Sequence, residues 1–201
     1  MEYFIIIVLS YMVGIINPAH LLTKHLRKID IRDVNSKNAG TSNVAMTLGL
    51  KYAVIVGLLD ILKGLVPVLV VRLLFPENDV LWVISGLSAI VGHVYPIHMG
   101  FKGGKGTATF GGVCFALFPL VSLGLAVLFF IVLIVSDYIV VPTVLAVVLI
   151  PFGMIFTNFQ IMSVVLLSLY SILSIYKHWP NIVRIFKGQE VGLREGLSKK
   201  S

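Results

Sequence analysis

The stretch Gly92-His93-Val94-Tyr95-Pro96-Ile97-His98-Met99-Gly100-Phe101-Lys102-Gly103-Gly104-Lys105-Gly106-Thr107 lies between two long apolar segments. Glycines near its end allow successive N–H groups to point into one concavity, and a helix that begins near Thr107 would add its unpaired N–H groups. The spacing is not that of a Walker A loop, because Met99 takes the place of the first glycine and Gly106 follows Lys105. The stretch predicts a phosphate-binding loop at a membrane surface; a basic turn that only sets topology is the alternative.

The composition predicts a membrane protein. The chain has 201 residues, of which 58% are hydrophobic and 12% charged, and it is too apolar for a soluble domain of this size. The net charge of +7 comes from basic residues in short segments between apolar spans and in the tail, so it indicates topology and an anionic lipid or substrate rather than nucleic acid. A single cysteine, Cys114, excludes a disulfide framework within the chain.

The apolar segments predict an all-α integral membrane protein with seven transmembrane helices in a single membrane domain, residues 1–201. Residues 107–135 are too many for one upright span and are broken at Pro119, so we predict two short spans there. Basic flanks place the N-terminus outside and the tail, residues 177–201, in the cytoplasm. The predicted spans are 3–26 with an interruption at Asn17-Pro18, 44–75, 80–98, 107–118, 120–135, 138–157 and 160–176.

Three polar segments, near 28–43, 92–107 and 177–190, are predicted to meet at the cytoplasmic face. The first includes Ser36-Lys37-Asn38-Ala39-Gly40-Thr41-Ser42-Asn43, whose hydroxyls and amides lead into a helix that Ser42 or Asn43 would cap. The third places Asn181 and Arg184 at helical spacing. Their convergence predicts a functional site, while an ordinary capped loop and a helix end with snorkelling basic residues are the alternatives.

Asp60 and Lys63 stand three residues apart on one helix face within a predicted span. Each charge alone would cost about 2.5 to 3.5 kcal/mol there. We therefore predict a structural ion pair, with a substrate role as the alternative.

Together these segments resemble the bacterial acyl-phosphate-dependent glycerol-3-phosphate acyltransferases, the PlsY family. The resemblance covers nearly the whole chain and rests on three motifs: Ser36-x-Asn38-x-Gly40-x-x-Asn43, Gly92-His93-x-x-Pro96 leading to Phe101-Lys102-Gly103-Gly104-Lys105-Gly106, and Asn181-x-x-Arg184-x-x-x-Gly188-x-Glu190. It implies an enzyme of the bacterial cell membrane, with its active site facing the cytoplasm, that moves a fatty acyl group from acyl phosphate to the sn-1 hydroxyl of glycerol 3-phosphate. The products would be lysophosphatidic acid and phosphate.

The resemblance also implies partners and residue roles. We expect a monomer that binds acyl phosphate and glycerol 3-phosphate and contacts membrane lipids. It should bind no nucleic acid and need no metal or cofactor. Glu190 and Arg184 are expected to form a structural contact, and the general base is left open between a substrate phosphate, His93 and His178. The predicted catalytic residues are Ser36, Lys105, His178 and Asn181. The predicted substrate-binding residues are Asn38, Gly40, Thr41, Asn43, His93, Lys102, Gly103, Gly104, Gly106, Thr107 and Thr143.

One position departs from the family pattern. Met46 stands where family members usually carry an arginine that contacts glycerol 3-phosphate, and an apolar side chain cannot replace a bidentate phosphate ligand. Lys51, Lys37 or a tail arginine would have to substitute, or the chain has lost affinity for glycerol 3-phosphate, changed its acceptor or lost activity. A transporter for phosphate-bearing anions and a non-catalytic relative are the alternative functions.

Overall fold

The computed structural model describes residues 1–198, and all the regular secondary structure in that range is helical. The last three residues of the predicted cytoplasmic tail lie outside this range. Short 3-10 turns at Ile31–Asp33 and Ile97–Met99 follow the second and fifth α-helices. The α-helices are α1 Glu2–Gly14, α2 Pro18–Arg27, α3 Thr41–Leu48, α4 Leu50–Leu74, α5 Asp79–Val94, α6 Thr107–Leu117, α7 Pro119–Ser136, α8 Val140–Met154, α9 Ile161–Phe186 and α10 Leu193–Ser198.

Five helical segments of the described chain are long and apolar enough to cross a membrane: Glu2–Arg27, Leu50–Leu74, Asp79–Met99, Pro119–Ser136 and Ile161–Phe186. Thr107–Leu117 and Val140–Met154 are apolar but shorter. The prediction of an all-helical, multi-pass membrane protein is confirmed. The number of seven crossings and the direction of the termini stay predictions.

Two predicted helix breaks are confirmed. α1 ends at Gly14 and α2 begins at Pro18, and the Asn17 side chain caps the new helix by accepting a hydrogen bond from the His20 N–H at 2.8 Å. Pro119 likewise begins α7 directly after α6. Proline is favoured at the first helical position because its missing N–H has no intrahelical partner there.

Three predicted boundaries are wrong. The helix predicted over 44–75 is divided at Gly49, whose φ of 97° is accessible mainly to glycine. α3 starts at Thr41 with Gly40 as its N-cap, so neither Ser42 nor Asn43 caps it. The last long helix continues beyond residue 176 through Pro180 to Phe186, and prolines do occur inside helices of membrane proteins.

Helices α5, α6, α8 and α9 supply most of the central core, which includes Ile90, Val113, Val147 and Leu167. Small residues allow the backbones to approach closely. A Cβ at Gly92 of α5 would lie 2.9 Å from the Gly14 Cα of α1. This packing fixes the end of α5 and the start of α6, between which the glycine–lysine stretch lies.

A buried charged cluster connects α4 and α5 with the break between α1 and α2. Lys63 Nζ lies 2.7 Å from Asp60 Oδ1 and donates a hydrogen bond to the Ile16 carbonyl at 2.8 Å. His93 Nδ1 of α5 lies 3.4 Å from the same Asp60 oxygen. The side chains of Asp60 and Lys63 are only 2% and 6% exposed, so each charge depends on its partner.

Candidate active site

The three polar segments lie at one end of the bundle, which we call the loop face. Its first loop (residues 28–40) is joined to its second loop (residues 95–106) by Arg32, which donates hydrogen bonds to the Met99 carbonyl at 2.6 Å and to the Asp30 carboxylate at 2.6 Å. The hydrogen bonds from Arg32 hold the pKa of Asp30 well below its usual range, so this pair stays charged. The sequence analysis missed both residues, because two neighbouring opposite charges give no signal for a contact with a distant loop.

The side chain of Asn43 holds the backbone of the first loop through hydrogen bonds. Its side chain is fully buried, and Nδ2 donates to the carbonyls of Ile31 at 2.7 Å, Val34 at 3.0 Å and Asn38 at 3.0 Å. These contacts occupy the amide donors, so a direct substrate contact by this amide group does not fit the structure. Asn43 instead holds the backbone of the loop that leads to Gly40.

The glycines of the second loop use their N–H groups differently from the prediction. Gly103 N–H donates to the Val94 carbonyl at 3.0 Å and Gly104 N–H to the His93 carbonyl at 3.2 Å, so both close the end of α5. Within residues 1–198, no backbone carbonyl accepts from the N–H groups of residues 105–107. The free donors for an anion therefore lie one to three residues later than Gly104, at the start of α6.

Gly104 lies where three elements meet. A Cβ at this position would come within 2.8 Å of the Ala39 carbonyl oxygen of the first loop and would also overlap Nε2 of His93. The imidazole of His93 thus fills the space between Asp60 and Gly104, and it supports the second loop from inside the bundle.

A chain of polar contacts links the second loop to the end of α9. The Lys105 ammonium donates to the Asn181 amide oxygen, and Asn181 Nδ2 donates to Glu190 Oε1 at 2.5 Å. Arg184 Nε donates to the other Glu190 oxygen at 2.6 Å. Glu190 therefore fixes the orientation of the Asn181 amide, with its oxygen toward Lys105.

Lys105 is a half-buried cation. Burial lowers the pKa of Lys105 to about 8; the charges of Arg184 and Lys177 act in the same direction, while Glu190 opposes them. Near neutral pH the ammonium is therefore mostly protonated but poorly compensated, which favours an anionic ligand.

His178 and Thr107 lie beside this contact. Thr107 Oγ1, at the start of α6, is 3.4 Å from Nε2 of His178, whose side chain is buried in α9. An imidazole and a hydroxyl thus adjoin the Lys105–Asn181 pair.

The other predicted site residues do not join these contacts. Ser36 and Lys102 are exposed, and Asn38 and Thr41 are half-buried on either side of Gly40. Thr143 is buried in α8 and donates its hydroxyl to the Ile139 carbonyl at 2.7 Å. Within the described chain, no side-chain hydrogen bond connects Ser36, Lys102 or Thr143 to another predicted site residue.

Met46 lies half-buried in α3 against the C-terminal helix, where a Cβ at Gly196 would be 3.5 Å from Met46 Cγ. Lys37 and Lys51, two of the proposed substitutes, are exposed. The tail arginines have partners already, since Arg194 donates to the Ile134 carbonyl at 2.7 Å and Arg184 to Glu190.

Comparison with known proteins gives the family of the chain. A family model described as glycerol-3-phosphate acyltransferase matches residues 4–188. The chain belongs to this acyltransferase family. It is 35% identical over 191 residues to the glycerol-3-phosphate acyltransferase of Fusobacterium nucleatum, which covers 94% of this chain and 97% of the relative. The resemblance to the PlsY family that the motifs predict is confirmed.

Two solved structures share the fold of this acyltransferase family member. The crystal structure of PlsY (YgiH), an integral membrane glycerol 3-phosphate acyltransferase in its glycerol 3-phosphate form, has a TM-score of 0.89 and 31% identity over 96% of each chain. The lysophosphatidic acid form has a TM-score of 0.86 and 30% identity, covering 98% of this chain and 99% of that one. The likeness to each solved structure thus covers at least 96% of this chain.

Proposed function

We propose that this protein transfers a fatty acyl group from acyl phosphate to the sn-1 hydroxyl of glycerol 3-phosphate. The observation that carries the proposal is the contact between Lys105 and Asn181 beside the free N–H groups of residues 105–107. This arrangement offers a cation, an oriented amide and a helix start to phosphate groups. The named relatives are glycerol-3-phosphate acyltransferases, which favours this enzyme over a transporter of phosphate-bearing anions.

The chemistry requires little covalent assistance from the protein. The acceptor hydroxyl oxygen attacks the acyl carbonyl carbon, the bond from that carbon to the phosphate oxygen breaks, and phosphate leaves with the bonding electrons. The protein must position two anions and stabilise the negative charge that develops on the carbonyl oxygen. The N–H groups at the starts of α3 and α6 are suited to that charge.

We assign the two substrates to different parts of the loop face. Acyl phosphate binds the first loop at Ser36, Asn38 and Gly40 together with the backbone of residues 105–107. Glycerol 3-phosphate binds Lys105, His178 and Asn181. The hydroxyl proton passes to a substrate phosphate or to His178, because His93 is packed between Asp60 and Gly104 and serves as a support.

We further propose that the chain crosses a bacterial cell membrane seven times as a monomer, with the loop face in the cytoplasm. The exposed basic residues Lys24, Arg27 and Lys28 at the end of α2 lie next to the first loop, in agreement with the positive-inside rule. This orientation gives the site access to water-soluble glycerol 3-phosphate.

The experiment that tests the function is acyl transfer by the purified protein in lipid, from palmitoyl phosphate or palmitoyl coenzyme A to labelled glycerol 3-phosphate. We expect labelled lysophosphatidic acid with palmitoyl phosphate alone, and no loss of rate when a metal chelator is added. Turnover with palmitoyl coenzyme A alone would contradict the donor assignment. A folded protein that is inactive with both donors would contradict the proposed reaction.

The rate should depend on pH through Lys105. Its ammonium is lost as the pH rises through about 8, so kcat/KM for glycerol 3-phosphate should fall about tenfold per pH unit above that value. Below about pH 6 the acceptor phosphate becomes a monoanion, and kcat/KM should fall again. The measurement is kcat/KM from pH 5 to 10 at constant ionic strength; a flat profile between pH 7 and 10 would contradict a role for the Lys105 charge.

A further inference from the structure

Lys177 is a cation at the loop face for which the sequence motifs predict no role. Its Nζ lies 4.2 Å from the centroid of the Tyr95 ring, so an aromatic face holds the ammonium in place. Tyr95 is the C-cap of α5, and its carbonyl accepts a hydrogen bond from the Tyr11 hydroxyl at 2.9 Å. The ring that positions Lys177 is therefore itself attached to the packed pair of α1 and α5.

The position of Lys177 on α9 directs it toward the acceptor site. Lys177, Asn181 and Arg184 follow one another at i, i+4 and i+7, so they share one helix face. Asn181 contacts Lys105, and the charge of Lys177 is close enough to influence that of Lys105. Lys177 thus lies one helical turn from the Lys105–Asn181 contact, against the Tyr95 ring of the second loop.

Charge balance at this point favours a dianion. Arg184 is paired with Glu190, but within the described residues neither Lys105 nor Lys177 has a carboxylate oxygen at ion-pair distance. Both lysines are half-buried residues, and the two like charges are close enough to repel each other. Met46 of α3 offers no charge, so the cations near Lys105 come from α9.

We infer that Lys177, positioned by the Tyr95 ring, is a second phosphate-binding cation that acts with Lys105 on the acceptor phosphate. This inference rests on the proposed function for the identity of the acceptor. A phosphate monoester carries close to two negative charges near pH 7, which two ammonium groups neutralise. The positive charges of Lys105 and Lys177 then both favour glycerol 3-phosphate over glycerol. Lys177 provides a positive charge that the apolar side chain of Met46 lacks.

The test is the KM of each substrate in the full-length protein. We expect Lys177→Gln to raise the KM for glycerol 3-phosphate about 10- to 100-fold and to leave the KM for palmitoyl phosphate within about twofold of the parent value. Lys177→Arg should restore the KM for glycerol 3-phosphate to within about threefold, and Tyr95→Leu should raise it several-fold because the ammonium loses its support. Lys187→Gln, which removes an exposed charge from the end of α9, is the matched control.

Three outcomes would overturn the inference: an unchanged KM for glycerol 3-phosphate in Lys177→Gln, an equal rise in both KM values, or an effect as large in Lys187→Gln. If Lys177→Gln does not fold, an unchanged KM in Tyr95→Leu would overturn it equally. If the parent protein is inactive, the proposed function fails. Equilibrium binding of labelled glycerol 3-phosphate then still tests whether Lys177 binds the phosphate. Binding that is weakened by Lys177→Gln and kept by Lys187→Gln would support the second cation, and equal binding by all three proteins would contradict it.

Discussion

Replacing Lys105 by alanine should reduce kcat/KM for acyl transfer about a hundred- to a thousandfold. The substitution removes the ammonium that contacts Asn181 and leaves the Asn181 amide oxygen without its donor. It also removes the charge next to the N–H groups at the start of α6, where the proposed phosphate lies. The measurement is the initial rate over a range of both substrates, with protein whose folded fraction is determined separately.

Two further variants separate charge from geometry. Lys105→Arg keeps a cation but replaces the point charge by a broader group, so it should recover only part of the rate. Lys24→Ala removes one exposed positive charge at the end of α2 and should leave the rate unchanged. Full activity of Lys105→Ala, or the same loss in Lys24→Ala, would contradict the assignment of the phosphate to this lysine.

Replacing Lys63 by methionine should destabilise the fold by about 3 to 5 kcal/mol, since the carboxylate of Asp60 would remain buried without its cation. The Ile16 carbonyl, at the break between α1 and α2, would lose its donor as well. In a protein of this size the loss corresponds to a fall of roughly 10 °C in the midpoint of thermal unfolding. The measurement is that midpoint in detergent.

The double variant Asp60→Leu plus Lys63→Met is the decisive comparison. Removing both charges eliminates the uncompensated carboxylate, so the midpoint should rise above that of Lys63→Met, but it should stay below that of the parent because the Ile16 carbonyl and His93 Nδ1 lack their partners. Lys51→Met, at the exposed start of the same helix, should change it little. A single Lys63→Met variant as stable as the parent would show that the pair contributes nothing to the fold.

Much of the helical framework follows from local signals. Asn17-Pro18 and Pro119 begin helices because a proline fits the first helical position, and the apolar runs give the membrane helices. The division at Gly49 is less evident, because a lone glycine in an apolar run is equally compatible with a continuous helix. The extension of α9 through Pro180 is not indicated locally, because a proline inside a helical pattern usually marks the end of the helix.

In the site, too, local motifs predict some features, whereas others depend on contacts between distant segments. The motifs predict that Lys105, Asn181 and Glu190 belong to the site. They do not predict which backbone N–H groups are hydrogen-bonded within the fold and which are free for a ligand. The N–H groups of Gly103 and Gly104 donate to carbonyls at the end of α5. This pairing depends on where α5 ends, which the motif does not specify. The sequence motifs do not predict Arg32 or Lys177, because each is positioned by a contact with a distant residue, Arg32 with Met99 and Lys177 with Tyr95.

The second loop is held to its two neighbours, the first loop and α9, by different kinds of contact. Arg32, paired with Asp30, joins the first loop to the Met99 carbonyl of the second loop, whereas α9 contacts the second loop through the side chains of Lys105 and Asn181 and contacts the start of α6 through His178 and Thr107. Within the described residues, no backbone hydrogen bond crosses from the second loop to α9. Separation of α9 from the second loop at this end of the bundle would therefore break side-chain contacts but no backbone hydrogen bond of the described residues.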